Sequence, residues 1–179
     1  MGKDYKSCTI LDVCCGGKMF YFNKNDERVL FQDIRKISTH LCDGRFFEVS
    51  PDIQADFTNM PYPDESFSMV VFDPPHLKHT SMKECSGWQT IKYGSLGKDW
   101  QNMLASGFKE CFRVLKHGGF LIFKWNETDI KVSEILKLTP EKPVFGHLSG
   151  KRSNTHWICF IKNNYKTMNL FSNEIEQKA

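Results

Sequence analysis

The sequence lacks the features that would place this protein in a membrane or outside the cell. The 179-residue chain has no apolar run long enough to span a bilayer, and no signal-peptide core precedes its first predicted strand. Its seven cysteines are odd in number and form no C-x-x-C pair, which favours reduced, mostly buried thiols over disulfides or structural zinc. His76, His79 and Cys85 match no usual zinc spacing, so we expect no metal. We therefore expect a soluble, cytoplasmic protein with no membrane partner.

Positive charge is scarce in the first part of the chain and concentrated after it. The total charge of +3 at pH 7 is too small to indicate a nucleic-acid partner by itself. Residues 1–77 carry a net charge of −4, whereas residues 78–124 carry +5 and residues 125–179 carry +2. The basic segment that begins at residue 78 is either a solvated face or a surface that contacts an acidic partner.

Short apolar segments alternate with helical patterns, which is typical of an α/β domain with a mostly parallel sheet. The predicted strands are residues 8–13, 28–32, 52–55, 67–72, 120–125, 144–148 and 156–162, with a weaker segment at 46–49. Apolar residues at i, i+3 and i+4 predict a helix over residues 98–116, ended by a glycine pair, and a shorter one over 130–138. Residues 79–97 predict a long surface loop. We expect one domain over residues 1–163 and a polar tail over residues 164–179.

A glycine turn follows the first predicted strand. Gly16 and Gly17 close this turn, and Asp33 ends the second strand 21 residues after Asp12. A glycine turn with an acid about 20 residues further on is typical of mononucleotide binding, because glycine lets backbone approach the ligand and the carboxylate can accept both ribose hydroxyls. The turn lacks the full G-x-G-x-x-G that seats a pyrophosphate. We therefore expect a nucleoside ligand without phosphates, and not NAD.

An acid and two prolines directly follow the apolar run 69–72. Proline fixes φ and carries no amide hydrogen, and it keeps the preceding residue out of the helical region. Asp73 is therefore expected in an extended geometry beside free carbonyl groups. All of these groups are hydrogen-bond acceptors, which suits an NH2 group with its two donors. The alternative interpretation is a simple stop at the end of an edge strand.

Together, these segments resemble the class I S-adenosylmethionine-dependent methyltransferases. The family's first motif, an acid followed after three residues by G-x-G, is matched by Asp12 and Gly16, with Lys18 where the last glycine is usual. Two further segments resemble the family's passages into its fourth and fifth strands, and they are residues 59–72 and 115–121. The resemblance covers about residues 9–162. It extends to short stand-alone methyltransferases of bacteria and their phages, which share the Cys-Cys-Gly turn and D-P-P-H.

The resemblance implies S-adenosylmethionine as cofactor and a Rossmann-like sheet of about seven strands, mostly parallel with an antiparallel last strand. It assigns Asp33 to the ribose, Ile34 to a contact with the adenine, and Asp56 to the adenine amino group. The full set of cofactor-binding residues that it implies is Asp12, Cys14, Gly16, Gly17, Asp33, Ile34, Asp56 and Phe57.

The proline turn resembles the fourth motif of amino-methyltransferases in this class, which reads D/N/S-P-P and then an aromatic residue. Asp73, Pro74 and Pro75 match, and His76 replaces the aromatic residue. The resemblance implies direct transfer of a methyl group to an exocyclic amino nitrogen of a nucleobase in DNA or RNA, with these four residues as the catalytic group. No cysteine follows a proline, so the nucleophile for carbon methylation of cytosine is absent.

A base in a duplex must flip out to reach such a site, so a nucleic-acid enzyme needs a surface that holds its substrate. Basic and aromatic residues of the predicted loops suit backbone contact and base stacking. The candidates are Lys78, Lys83, Trp88, Lys92, Tyr93, Lys151 and Arg152. Ordinary solvated loops are the alternative.

Two other functions fit the same residues. One keeps methyl transfer but directs it to a protein amide or a small molecule, since relatives with N-P-P-Y methylate glutamine. The other is a catalytically silent subunit that binds the cofactor and supports a partner. The chain has no separate target-recognition domain, so a partner protein that supplies specificity is a further expectation to test.

Overall fold

The computed structural model of the protein describes residues 3–41, 43–78, 91–92, 94–150 and 153–163. Part of the predicted substrate surface and the predicted tail, residues 164–179, lie outside this range. The substrate-surface residues concerned are Lys83, Trp88, Tyr93, Lys151 and Arg152.

A seven-stranded sheet with the order β5-β2-β1-β6-β7-β9-β8 forms the centre of the fold. Its strands are β1 Ile10–Asp12, β2 Val29–Asp33, β5 Ile53–Gln54, β6 Phe67–Phe72, β7 Leu115–Asn126, β8 Phe145–Leu148 and β9 Thr155–Ile161. The pairs from β5 to β7 are parallel, and β9 runs antiparallel to both β7 and β8. This topology confirms the predicted sheet of seven strands, mostly parallel with an antiparallel last strand.

A small hairpin stands where strict alternation would place a helix. Strands β3, Ile37–His40, and β4, Phe46–Val49, pair antiparallel and form a separate two-stranded sheet. The sequence indicated only β4, and weakly. The connection between β1 and β2, residues 13–28, contains turns and no helix. One face of the central sheet is therefore covered by a loop, in which Tyr21 packs edge-on against Phe31.

Helix α1, Trp100–Val114, covers the opposite face of the sheet, where it contacts β6 and β7. Its buried apolar side chains recur at helical spacing, as the sequence predicted, and they are Trp100, Leu104, Phe108, Cys111 and Phe112. The prediction placed the end of the helix two residues too late. Leu115 is already extended, and it begins β7 because it pairs with Phe67 of β6.

A short helix, α2, Val132–Ile135, continues into a 3-10 turn over Leu136–Leu138, within the predicted segment 130–138. Among the described residues, no helix has the length and apolarity that crossing a membrane requires.

Parallel pairing brings the carboxyl ends of four strands to one edge of the sheet. Asp12 lies beside Phe31 on one side and Val71 on the other, and Phe72 lies beside Phe123 of β7. The glycine turn, Asp33, the proline turn and the end of β7 therefore meet at this edge. In open parallel sheets, this is where ligands bind.

Candidate active site

A pocket opens at the carboxyl edge of the sheet, and most of the predicted site residues line it. The glycine turn, the end of β2 and the proline turn form three of its walls. Nine of the predicted cofactor and catalytic positions belong to the lining: Cys14, Gly16, Gly17, Asp33, Ile34, Phe57, Asp73, Pro74 and Pro75, with His76 beside them. Lys92 lines the pocket as well, from the segment beyond the predicted loop.

The glycine turn is held by hydrogen bonds to β2. Cys15 donates its backbone N–H to the carbonyl of Gln32 at 2.8 Å, and Gly16 donates to Oδ2 of Asp33 at 2.9 Å. Gly16 has a φ of +48°, a left-handed conformation that glycine adopts without steric cost. These contacts place the backbone of the turn against the pocket.

Lys18 keeps the backbone shape of the family motif without its usual residue. Its φ is +54°, in the left-handed region where a glycine is expected and where an ordinary side chain costs about 1–2 kcal/mol. Its ammonium lies 4.1 Å from the centre of the Phe31 ring, a cation–π contact that offsets part of that cost. The departure from G-x-G therefore changes the residue and leaves the turn intact.

Gly17 is required for packing of the hairpin. A Cβ at this position would lie 2.9 Å from the Phe47 ring, closer than real contacts allow. The hairpin strand β4 therefore closes one side of the pocket directly against the glycine turn.

Asp33 is almost fully buried, and hydrogen-bond donors surround its carboxylate. Arg35 donates its backbone N–H and its Nε to Oδ1, at 2.9 and 3.0 Å, and its Nη2 to Oδ2 at 3.2 Å. The same guanidinium donates through Nη1 to the carbonyl of Ile91 at 3.2 Å. Arg35 therefore links the predicted ribose acid to the segment beyond the loop.

Asp73 follows β6 directly and forms an ion pair with a residue that the sequence did not single out. Its Oδ2 lies 2.6 Å from Nζ of Lys124 on β7. Burial raises the pKa of Asp73 above its usual value, while Lys124 and, more weakly, His76 act in the opposite direction. The carboxylate therefore depends on neighbouring cations to remain ionised in a partly desolvated site.

His76 lies beyond the two prolines with its ring near that of Trp125, at a centroid distance of 6.4 Å and an edge-on angle of 78°. Burial lowers the pKa of His76, although the Asp73 carboxylate raises it in part. The imidazole is therefore neutral at neutral pH and presents a ring face to the pocket. Pro75 is packed against Gly94, where a Cβ would lie 3.0 Å from the proline ring.

Two predicted cofactor residues do not reach the pocket surface. Asp12 is completely buried beneath it, with Oδ1 accepting from the N–H of Cys14 at 3.2 Å. Burial raises the pKa of Asp12 to about 7. Asp56 is exposed, and its Oδ1 accepts from both the backbone N–H and the hydroxyl of Thr58 at 2.8 Å, because the chain turns sharply there.

Lys78, a predicted substrate residue, also lies outside the pocket lining. Its side chain is exposed, and its backbone N–H donates to Asp129 at 2.7 Å. No cluster of His, Cys, Asp and Glu among the described residues has the arrangement of metal ligands.

Sequence reasoning missed several residues that line the pocket, and the main ones are Met19, Phe20, Arg35, Phe47 and Lys124. Arg35 stands two residues after a recognised acid, so its position in the sequence was an available signal. Lys124 had no such signal, because its proximity to Asp73 depends on the register between β6 and β7.

Solved structures share this fold. The PH0226 protein from Pyrococcus horikoshii OT3 superposes with a TM-score of 0.52 at 15% identity, over 86% of this chain and 81% of that protein. The Atu636 protein from Agrobacterium tumefaciens, described as a predicted O-methyltransferase, superposes with a TM-score of 0.50 at 16% identity, over 90% of this chain and 76% of its own. A SAM-dependent methyltransferase from Thermotoga maritima has a TM-score of 0.45 at 14% identity, with coverages of 86% and 82%.

No protein-family model matches the chain, and no curated protein matches it. At 15–16% identity the structural likenesses show the fold alone. With the strand order and the antiparallel β9, they show that the chain has the class I methyltransferase fold, which confirms the fold that the sequence predicted.

Proposed function

We propose that this protein is an S-adenosylmethionine-dependent methyltransferase that acts on an exocyclic amino nitrogen of a nucleobase in DNA or RNA. The observation that carries the proposal is that the glycine turn with Asp33 and the turn Asp73-Pro74-Pro75-His76 line one pocket. A nucleoside-binding half and a half suited to an amino group therefore lie within reach of each other.

The residues of the first half fit the cofactor. Asp33 supplies a carboxylate that can accept the two hydroxyls of a ribose, and Gly16 and Gly17 allow close approach of the backbone. Ile34 and Phe57 provide apolar walls suited to a purine ring. When bound, S-adenosylmethionine would supply a methyl group on a positively charged sulfur.

The second half fits an amine that attacks this methyl group. Asp73 and the carbonyl of Pro74 are acceptors that can hold the two N–H groups and direct the nitrogen lone pair. The neutral ring of His76 offers a stacking face for the base. A nitrogen–carbon bond forms as the sulfur–carbon bond breaks, and Asp73 stabilises the positive charge that develops on nitrogen before accepting a proton.

Charge supports a nucleic acid as the source of the base. The segment 78–124, which begins two residues after His76, carries a net charge of +5, and its Lys92 lines the pocket. Phosphate contacts by such residues release counterions, so binding should weaken steeply with salt. A methyltransferase of a protein amide or small molecule would not show this dependence.

The decisive experiment offers labelled S-adenosylmethionine with separate DNA, RNA, peptide and nucleoside pools at low salt. We expect label in DNA or RNA, in a product that contains N-methylated base. Asp73→Asn should abolish the transfer while cofactor affinity and melting temperature change little. Asp56→Asn, which removes a carboxylate outside the pocket, is the matched control and should retain activity.

Three outcomes would overturn parts of the proposal. Label only in peptide or free nucleoside would move the substrate to the alternative class. Cofactor binding without transfer to any pool would favour a silent subunit, and adding candidate partner proteins would then test whether one restores activity. Absence of cofactor binding would remove the assignment altogether.

A further inference from the structure

We propose that Lys124 is a positioning residue, which keeps the Asp73 carboxylate ionised with one oxygen occupied and leaves the other oxygen for the target amine. This inference rests on the proposed function. It adds a residue to the site and restricts the kind of amine that the site accepts.

Strand register fixes Lys124 beside Asp73. Phe72 and Phe123 are partners across the parallel pair β6–β7, so the next residue of each strand lies at the same edge of the sheet. The distance of 2.6 Å between Nζ and Oδ2 is that of a charge-assisted hydrogen bond. Because both side chains are only about one-fifth to one-quarter exposed, water screens this pair less than a surface ion pair.

Two aromatic rings hold the ammonium from other directions. Nζ of Lys124 lies 5.4 Å from the centre of the Phe20 ring and 5.7 Å from that of Trp157. Trp157 is the cross-strand partner of Lys124 on β9, and Phe20 packs edge-on against it at 5.3 Å. The glycine-turn loop, β6 and β9 therefore all contribute to the position of one lysine.

This arrangement determines which form of Asp73 faces the pocket. A protonated carboxyl group would donate a hydrogen bond and would lose acceptor capacity needed by the amine. Lys124 opposes protonation and occupies Oδ2. The remaining oxygen, Oδ1, is then the atom that receives an N–H of the target.

The same lysine restricts the substrate to an uncharged amine. An alkylamine that is protonated at neutral pH would bring a second cation to a carboxylate that already has one, and like charges at this range repel. An exocyclic amino group of a nucleobase carries no charge before reaction. The pair of Lys124 and Asp73 therefore favours weakly basic amino groups over amines such as a lysine side chain.

Other titratable groups face Asp73 and must be separated from it in any pH measurement. They are His76 in its own turn, and Asp12, Cys14 and Tyr21 on β1 and the loop that follows. Burial raises the pKa values of Cys14 and Tyr21 well above neutral, so neither ionises near pH 7. Asp12, with a pKa of about 7, is the group that has to be distinguished.

The test compares Lys124→Met with Lys124→Arg and Lys162→Met. Lys162 is also a partly buried lysine, 3.7 Å from a carboxylate oxygen of Glu65, but its strand end is opposite to the pocket. Carbon-13 labelling of aspartate carboxyl groups, with Asp73→Asn to assign the signal, gives the pKa of Asp73 without any need for activity. We expect a pKa higher by at least one unit in Lys124→Met and an unchanged pKa in the other two variants.

Activity provides the second readout. In Lys124→Met the acid limb of the rate–pH profile should move upward with the pKa of Asp73, which is a tenfold loss per unit on that limb, and the rate should recover at high pH. Lys124→Arg should retain the wild-type limb. An unshifted Asp73 signal in Lys124→Met would overturn the inference even if the protein is an active methyltransferase, whereas inactivity of the wild type would overturn the proposed function alone.

Discussion

The guanidinium of Arg35 occupies both carboxylate oxygens of Asp33. Two side-chain N–H groups donate to them at 3.0 and 3.2 Å, and the backbone N–H groups of Arg35 and Gly16 each donate at 2.9 Å. A carboxylate has about four acceptor positions, so these four donors fill it. A ribose can therefore bind Asp33 only by displacing the guanidinium, and the bond from Arg35 to Ile91 couples that displacement to the segment beyond the loop.

Replacement of Asp33 tests the cofactor assignment. Asp33→Asn should weaken S-adenosylmethionine binding by about 1.5–3 kcal/mol, the scale for loss of charge-assisted hydrogen bonds. Isothermal titration calorimetry measures this directly. Asp56→Asn should bind like the wild type, because the Asp56 carboxylate serves Thr58 outside the pocket. Equal weakening in both variants would contradict the assignment of ribose to Asp33.

Replacement of Arg35 tests the competition. Arg35→Met removes two donors to the Asp33 side chain, so the ligand no longer has to displace them, and binding should become tighter by about 1–2 kcal/mol. The ligand-free variant should unfold at a lower temperature, because a nearly buried carboxylate loses its ion pair. Weaker binding in this variant would show instead that Arg35 contacts the ligand.

The elements that could be predicted are those whose own residues carry the signal. Strand β6 was predicted at its observed bounds, since Phe67–Phe72 is a continuous apolar run between turn residues. Asp33 and Asp73 were identified because each ends such a strand. The end of α1 was misjudged because the pairing of Leu115 with Phe67, which begins β7, depends on a strand distant in sequence.

The residues that could not be predicted are those whose role comes from register or local turns. Lys124 contacts Asp73 only because β6 and β7 are parallel and in one particular register. Asp56 matches the family motif, yet its side chain bonds to Thr58 two residues away, a local choice that the motif does not reveal. Asp12 matches too, but it lies under the pocket because its strand is the central one of the sheet.

Gly107 is a packing requirement whose loss should reach the pocket. A Cβ there would lie 2.8 Å from the rings of Phe57 and Phe72, so Gly107→Ala overpacks the contact between α1 and β6. We expect a loss of about 1–3 kcal/mol in the free energy of unfolding, despite the better helix propensity of alanine. Weaker cofactor binding should accompany it, since Phe57 lines the pocket.

Gly97 is the matched control for that substitution. No atom lies within 4 Å of a Cβ at this position, so Gly97→Ala should change stability by a few tenths of a kcal/mol. Chemical denaturation of both variants measures the difference. Equal stability of the two would contradict the close approach of the helix to Phe57 and Phe72.

Asp12 should make the stability of the protein fall as pH rises through the weakly acidic range. Its pKa of about 7 in the folded protein lies above the unfolded value of 3.8, because burial disfavours the charge. Between those values the folded state holds a proton that the unfolded state has released, so raising the pH favours unfolding. Each pH unit in this window costs about 1.4 kcal/mol, and the loss ends once the folded carboxyl has ionised near pH 7.

Asp12→Asn isolates this effect from every other titration in the protein. The amide cannot ionise, so the difference in unfolding free energy between wild type and variant should shift by about 3 kcal/mol against the wild type from pH 5 to pH 8. Urea denaturation at the two pH values measures it, with Asp56→Asn as the exposed control that should show no such change. A pH-independent difference would mean that Asp12 is ionised throughout, and that a group facing it compensates the buried charge.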